Sequence, residues 1–188
     1  MKQFMIVAIA MMAVVALATP IFADTGASAT VNVQVTVNPN VSLTPINATV
    51  NAGTVQTGTF FAFCQFEVDA NNEQVSFQVA ASALYKGDDP TTSIIIPVNL
   101  SMPPLVQPVN GNPLNFASPN LCYTSSVCTV AGFPAQMTIN QAYESSQNGV
   151  FSQEVDVTVY YLQNNPELPT GQYSGVVQLV ATLLPKVD

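Results

Sequence analysis

Apolar and polar residues alternate at every second position along much of this chain, and this pattern restricts the fold more than any other feature. The clearest run lies near the start and consists of Ala29, Val31, Val33, Val35 and Val37, with one polar residue between each pair. Successive side chains of a β-strand point to opposite faces, so the run predicts a strand with one apolar face.

Further strands are predicted along the rest of the chain. Pro39 ends the first run because proline has no amide hydrogen, and the alternation resumes over residues 41–46. Stretches rich in β-branched and aromatic residues follow at 60–68, 74–81, 93–101, 135–139, 152–161 and 172–184. Turn-forming residues separate most of them, and only residues 140–147 suggest a turn of helix. The pattern predicts an all-β, antiparallel β-sandwich.

The first 23 residues have the features of a signal peptide. Lys2 precedes an apolar run over residues 4–18, Thr19-Pro20 breaks it, and Ala23 is a small residue before the first carboxylate. The run is shorter than the roughly 20 residues that a membrane-spanning helix needs. We therefore expect residues 1–23 to be removed and the remainder to be exported.

The charge composition argues against several functions. The chain has 3 Lys and Arg, 11 Asp and Glu and no His, which gives a net charge of −8. Binding of nucleic acid requires basic residues to neutralise phosphates, so nucleic acid is not an expected partner. A serine or cysteine nucleophile would have no histidine as its base. We expect no enzymatic activity and no cofactor.

Two pairs of carboxylates are the remaining candidates for chemistry. Glu154 and Asp156 share one face of a predicted strand, and Asp88 and Asp89 are adjacent in a predicted turn. Either pair has the residue types for calcium binding or acid-base catalysis. Two carboxylates are a weak signal, so we interpret both pairs as solvated and expect no metal site.

The three cysteines lie in the exported part, where disulfides can form. Cys122 and Cys128 bracket a short stretch with turn-forming residues, whereas Cys64 lies in an apolar run. We favour a disulfide between Cys122 and Cys128 with Cys64 as a buried thiol. The other two pairings stay open.

The final predicted strand is apolar on both faces. One face has Tyr173, Gly175, Val177, Leu179, Ala181 and Leu183, and the other has Val176, Val180 and Leu184. We expect such a strand to be buried on both faces, and a free edge on it would invite pairing with a neighbouring chain. Residues 29–37 of a second copy could supply that strand. The alternative is that residues 29–37 form an ordinary edge strand of their own domain.

Both ends of the chain resemble major pilins of the colonisation factor antigen type, which use the alternate chaperone-usher pathway. The end of the chain, Pro169-Thr170-Gly171-Gln172-Tyr173-Ser174-Gly175-Val176-Val177 and its continuation to Leu183, is similar to the end of these pilins. Val33-Gln34-Val35-Thr36-Val37-Asn38-Pro39 resembles their N-terminal donor strand and its proline break. The middle of the chain, its three cysteines and the tail 185–188 depart from the family pattern.

The resemblance implies an incomplete immunoglobulin-like domain over residues 40–188, preceded by a donor-strand extension over residues 24–39. The donor residues would be Ala29, Val31, Val33, Val35 and Val37. The acceptor strand, which a periplasmic chaperone would first cover, would be the Tyr173 to Leu183 face listed above. The implied function is a structural subunit of a surface fimbrium that supports adhesion, with neighbouring subunits and an outer-membrane usher as partners.

Two alternative functions remain. A secreted spore-coat-like or matrix protein would share the sandwich and the Gly171-Gln172-Tyr173 ending without assembling a pilus. A carbohydrate-binding adhesin would need aromatic platforms, and the candidates are Tyr123, Tyr143, Tyr160 and Tyr161. Because the chain has no tryptophan, core or interface positions are the favoured interpretation of these tyrosines, although a host glycan remains a candidate partner at a shallow surface.

Overall fold

The computed structural model describes residues 31–114, 129–130 and 132–185. The chain divides into two units, Met1–Val37 and Asn38–Asp188. The described residues contain no helix, and their strands are β1 (Val41–Pro45), β2 (Gly58–Ala70), β3 (Gln74–Ser82), β4 (Leu84–Lys86), β5 (Ile95–Ile96), β6 (Leu105–Pro108), β7 (Gly111–Leu114), β8 (Thr129–Val130), β9 (Phe133–Ser145), β10 (Phe151–Gln163), β11 (Tyr173–Ser174) and β12 (Val177–Leu183). The all-β prediction is therefore confirmed.

The strands form antiparallel sheets. One main sheet has the order β1-β2-β10-β6, and the other has the order β12-β3-β9-β7, with β8 also pairing with β9. A small sheet has the order β11-β4-β5. The central strands β2 and β10 pair over thirteen residues each, from Phe151 opposite Ala70 to Gln163 opposite Gly58.

The sequence alternation explains which side of each strand is buried. In β10 every second residue is buried, from Phe151 through Val155, Val157 and Val159 to Gln163. The residues between them are exposed or half-buried, so one face of the strand packs inward and the other faces solvent. This pattern is typical of an antiparallel sheet that covers a core on one side only.

The two main sheets bury their inner faces against each other, which is consistent with a β-sandwich. Phe77 of β3 has no exposed surface, and its ring lies 5.5 Å from the ring of Phe151 on β10 in an edge-to-face arrangement. The hydroxyl of Tyr143 on β9 donates a hydrogen bond to the carbonyl of Val106 on β6, which also joins the two sheets. A buried tyrosine hydroxyl needs such a partner, so this bond satisfies it within the core.

Two local predictions were wrong. Residues 140–145 continue strand β9 instead of forming a helical turn, because Asn140 and Gln141 pair with Gln78 and Phe77 of β3. The predicted strand over residues 93–101 is reduced to β5 and an isolated bridge between Val98 and Tyr161. The local residue preferences were overridden in both places by the available pairing partners.

Candidate functional site: the lateral edge of the two main sheets

The two main sheets end on the same side of the molecule. Strand β1 is the last strand of one sheet, strand β12 is the last strand of the other, and the two strands approach each other. Within the described residues β1 pairs only with β2, and β12 pairs only with β3. Their outer edges therefore present backbone amide and carbonyl groups that no strand of the described chain pairs.

The side chains between these edges are apolar and incompletely covered. Each of them packs against the core and is half-buried, and they are Val41, Leu43, Val177, Ala181 and Leu183. Leu179, at the middle of β12, is the exception with 4% exposure. We call this strip the edge groove. The inner face of a strand at the edge of a sheet is covered from one side only, so the groove leaves apolar core surface open to solvent.

Cys64 lies two residues beyond the part of β2 that pairs with β1, which begins at Phe66. It is a free thiol, half-buried where the prediction had it buried. Burial raises the pKa of the Cys64 thiol above its ordinary value. The predicted Cys122–Cys128 disulfide lies outside the described residues.

Residues 31–40 precede the first strand and belong to no strand themselves. The alternate side chains Val31, Val33, Val35 and Val37, which we call the valine row, are 81%, 84%, 83% and 76% exposed. The prediction of a strand here is not met for residues 31–37, because a strand requires a paired neighbour and these residues have none in the described part of the chain. Residues 1–30, which include Ala29, lie outside the described residues.

Residues 38–40, directly before β1, are held by hydrogen bonds to Asn71. Asn71, in the turn after β2, donates a hydrogen bond to the carbonyl of Asn38 at 2.9 Å, and its side-chain oxygen accepts one from the amide of Asn40 at 2.6 Å. The amide of Asn71 also bonds to the carbonyl of Asn40. These contacts fix the residues directly before β1 at the edge of its sheet.

The predicted acceptor residues do not all lie on one strand. Val177, Leu179, Ala181 and Leu183 share the inner face of β12 and contact the core, as expected. Tyr173 belongs to β11, where it pairs with Lys86 in the small sheet. Gly175 lies between the two strands and belongs to neither.

The ladder between β12 and β3 ends where Val177 pairs with Ala81, two residues after Gly175. On the other side of β3, its pairing with β9 shifts register between Ala81 and Ser82. The Ser82 hydroxyl accepts a hydrogen bond from the Val176 amide at 2.9 Å. A Cβ at Gly175 would collide with the carbonyl oxygen of Ala83 and with the Ser82 hydroxyl. Only glycine permits this close approach of two backbones.

The expectation that the final strand is buried on both faces was wrong. Val180, on the outer face of β12, is 40% exposed, and the neighbouring Gln178 and Thr182 are exposed too. Val176 and Leu184 are half-buried and flank the strand. Strand β12 is therefore covered on its inner face only.

The carboxylates noted in the sequence lie apart from the edge groove. Asp156 accepts a hydrogen bond from Gln65 at 3.1 Å on the outer face of β10, where Glu154 is exposed. Asp89 accepts two bonds from Thr91, and these lower its pKa. Asp88 accepts one from the Ser174 hydroxyl. No cluster of three potential metal ligands occurs among the described residues.

The candidate sugar-binding tyrosines are placed mainly in the core. Tyr161 is 1% exposed and stacks on Phe60 at 5.6 Å, and Tyr143 is 8% exposed. Burial, with a smaller contribution from Cys64, raises the pKa of Tyr161 far above its ordinary value. Only Tyr160 reaches the outer face, where it is half-buried, and Tyr123 lies outside the described residues.

One surface was missed in the sequence. Phe61 and Phe63 point outward from β2 and are 58% and 41% exposed, and Leu105 of β6 is 43% exposed on the same face. The run Phe60-Phe61-Ala62-Phe63 was a possible signal, because it is apolar at both odd and even positions and so cannot be wholly buried by one core.

Comparison with known proteins adds no assignment. No protein-family model matches the chain, and no curated protein matches it. No helix in the described residues is long and apolar enough to cross a membrane.

Proposed function

We propose that this protein is the structural subunit of a surface fimbrium and that it polymerises by strand donation. Its domain is an incomplete immunoglobulin-like sandwich, and the valine row of one copy fills the edge groove of the next. The observation that carries the proposal is that β1 and β12 both end their sheets at the same half-covered apolar strip. An inserted strand would pair with an open edge and cover this strip.

The chemistry of the two surfaces is complementary. The groove offers unpaired backbone groups and half-buried apolar side chains, and the valine row offers exposed apolar side chains at the period of a strand. A donated strand forms main-chain hydrogen bonds along an edge, while alternate side chains fill the core. Since donor and acceptor lie on different parts of the same chain, the contact does not close on itself and generates a filament.

The resemblance of both chain ends to pilins of the alternate chaperone-usher pathway supports the same function. In that pathway a periplasmic chaperone would cover β12 before assembly, an outer-membrane usher would export the subunit, and the filament would support adhesion. Export would use the signal peptide over residues 1–23. The competing function is a secreted sandwich protein that stays monomeric.

The decisive experiment changes the face of the donor segment without changing its charge. Val33→Asp with Val35→Asp places two carboxylates on the face that would enter the groove, and Gln34→Asp with Thr36→Asp places the same two charges on the opposite face. Burial of unpaired charge is strongly unfavourable, so the first variant should abolish filaments and the second should retain them in electron micrographs of sheared cell-surface material. Exported monomer must be present in both strains.

Loss of filaments in both variants, or in neither, would contradict donation by one face of this segment. Absence of filaments from the unaltered protein, with a stable soluble monomer recovered, would favour the secreted sandwich protein.

Cys64 gives a second, independent measurement of groove occupancy. Its half-buried thiol lies on the part of β2 that β1 leaves unpaired, so a donor strand that continues along this edge should protect it from alkylation. We expect a peptide of residues 27–39 to slow alkylation of Cys64 in the full-length Val33→Asp, Val35→Asp variant, as measured by mass spectrometry of the Cys64 peptide. An unchanged rate at saturating peptide would contradict insertion beside Cys64.

A further inference from the structure

A second surface of the domain has features of a contact between copies. The outer face of the β1-β2-β10-β6 sheet has apolar side chains at one end. Register places Phe61 opposite Tyr160, and Phe63 opposite Thr158, which in turn lies opposite Leu105. We call Phe61, Phe63, Leu105, Tyr160 and Leu162 the outer aromatic patch; all five point away from the core.

The carboxylates of this face gather at its other end. Glu67 lies directly opposite Glu154, Asp69 lies opposite Ser152, and Asp156 lies opposite Gln65. At about 3.4 Å per residue, six residues along β2 separate Phe61 from Glu67 by roughly 20 Å. This is more than twice the Debye length of about 8 Å at physiological ionic strength. Asp156 is nearer, since it lies two residues along β10 from Thr158, a distance of roughly 7 Å. The face therefore has an apolar end and an end rich in carboxylates, with Asp156 at the border.

We propose that the outer aromatic patch binds the same patch of a second copy of this chain, face to face, with the β2 strands antiparallel. The contact is isologous, which means that both copies use the same surface. Its two-fold axis lies parallel to the sheets and perpendicular to the strands, so that each patch covers the other. The contact is separate from strand donation, which uses the edge groove.

Charge limits where two copies can meet and decides their orientation. The full chain has 3 Lys and Arg against 11 Asp and Glu, so two copies have few basic groups to pair with their carboxylates. The apolar end is the part of this face where two copies can meet without bringing carboxylates together. A parallel arrangement would place the Glu67 and Glu154 carboxylates of both copies side by side, and the antiparallel arrangement moves them to opposite ends.

The size of the patch predicts a weak contact. Taking about 200 Å² for a whole aromatic side chain, Phe61 and Phe63 together expose roughly 200 Å². Leu105, Tyr160 and Leu162 add a similar area at most, so the patch stays well below the about 800 Å² per partner of a standard stable interface. A pair of free subunits should therefore associate weakly and reversibly. Filaments that present the patch repeatedly should associate side by side, because repeated weak contacts act together.

The first experiment measures self-association by sedimentation velocity in the full-length Val33→Asp, Val35→Asp background, which removes strand donation. We expect the average mass to rise with protein concentration, and to rise further when salt is raised from 20 to 500 mM, because salt screens repulsion between the acidic copies. Adding Phe61→Thr and Phe63→Thr should weaken the association at least tenfold. The matched control Val109→Thr removes another exposed apolar side chain, 62% exposed, and should have no effect.

Three results would overturn the patch contact. They are a monomer at all concentrations in the donation-blocked background, an association that the two phenylalanine substitutions leave unchanged, and an association that high salt dissolves. Each leaves the filament proposal intact. Conversely, polymers that persist after Val33→Asp and Val35→Asp would contradict strand donation, and the phenylalanine substitutions would still report on the patch.

The second experiment tests the orientation on one strand. Thr158→Cys lies within the patch, and Glu154→Cys lies four residues along β10 towards the acidic end. We expect oxidation to cross-link two copies through Cys at 158 and not through Cys at 154. Equal cross-linking at both positions would indicate a parallel arrangement and refute the two-fold geometry. Binding of a soluble glycan that Phe61→Thr removes, without any association of copies, would assign the patch to a sugar ligand and refute the proposal.

Discussion

The strongest quantitative consequence of strand donation concerns single valines of the donor. Val35 is 83% exposed, so almost its whole side chain is available for burial. Val35→Ala in a peptide of residues 27–39 removes two carbon atoms. At about 0.8 kcal/mol per buried CH₂, the loss on groove binding is about 1.6 kcal/mol. Since 1.4 kcal/mol corresponds to a tenfold change in affinity, we expect the peptide to bind roughly fifteenfold more weakly.

The matched control changes the neighbouring position. Thr36→Ala alters a side chain that points out of the groove when Val35 points in, and it should change affinity less than about threefold, because surface changes usually contribute within about 0.5 kcal/mol. The acceptor is the full-length Val33→Asp, Val35→Asp variant, whose own segment cannot compete. The two introduced aspartates lie at positions 33 and 35, where the described chain forms no strand, so the domain of this variant should stay folded.

The assay is competition against a fluorescent wild-type peptide, read by anisotropy at fixed acceptor concentration. Equal losses for Val35→Ala and Thr36→Ala would refute the alternation of buried and exposed donor positions. Failure of the wild-type peptide to bind at all would refute insertion into the groove.

Three further predictions concern the domain itself. Phe77→Ala, in the closed core, should lower the free energy of unfolding by about 3–5 kcal/mol in urea titrations, and Phe61→Ala at the exposed patch should lower it by less than about 1 kcal/mol; equal effects would contradict the assigned faces. Gly175→Ala should destabilise by about 1–3 kcal/mol through its collision with the β3–β4 backbone, and an unchanged urea midpoint would contradict that close approach. Burial raises the pKa of Cys64 above the ordinary 9.0, so its contribution to stability is present below pH 9 and lost as pH rises further; Cys64→Ala should flatten this decline in thermal midpoints, and an identical decline would show another group to be responsible.

The strands that the sequence predicted best are those whose partners lie on both sides. The predicted strands at 60–68, 74–81 and 152–161 all fall within β2, β3 and β10. Each of these strands is paired on both sides, so the β-branched and aromatic residues that predicted it also find neighbours in the sheet. The break at Gly175 could not be predicted, since its backbone packs against Ser82 and Ala83, which lie over ninety residues away in sequence. Local patterns do not contain contacts of that separation.

The candidate site was predictable only in part. Alternation identified the inner face of β12 and the valine row, but the same pattern fits a strand that pairs in its own sheet. Likewise, the sequence predicted that Phe61 and Phe63 lie on a strand but not which face of the sheet they occupy, because the residues on either side of them are apolar too. Which face a phenylalanine occupies follows from the register with β10, and register is a property of the folded sheet.

Charge gives the two proposed contacts a common property. The full chain has 3 Lys and Arg against 11 Asp and Glu, so ion pairs contribute little to holding two copies together, and their carboxylates repel. The groove and the patch both avoid this repulsion, since one uses backbone hydrogen bonds with apolar burial and the other uses apolar burial alone. Added salt should therefore strengthen both contacts, by screening carboxylates and by favouring burial of apolar surface. An assembly that dissolved in high salt would be inconsistent with either surface, whichever of the two held the copies together.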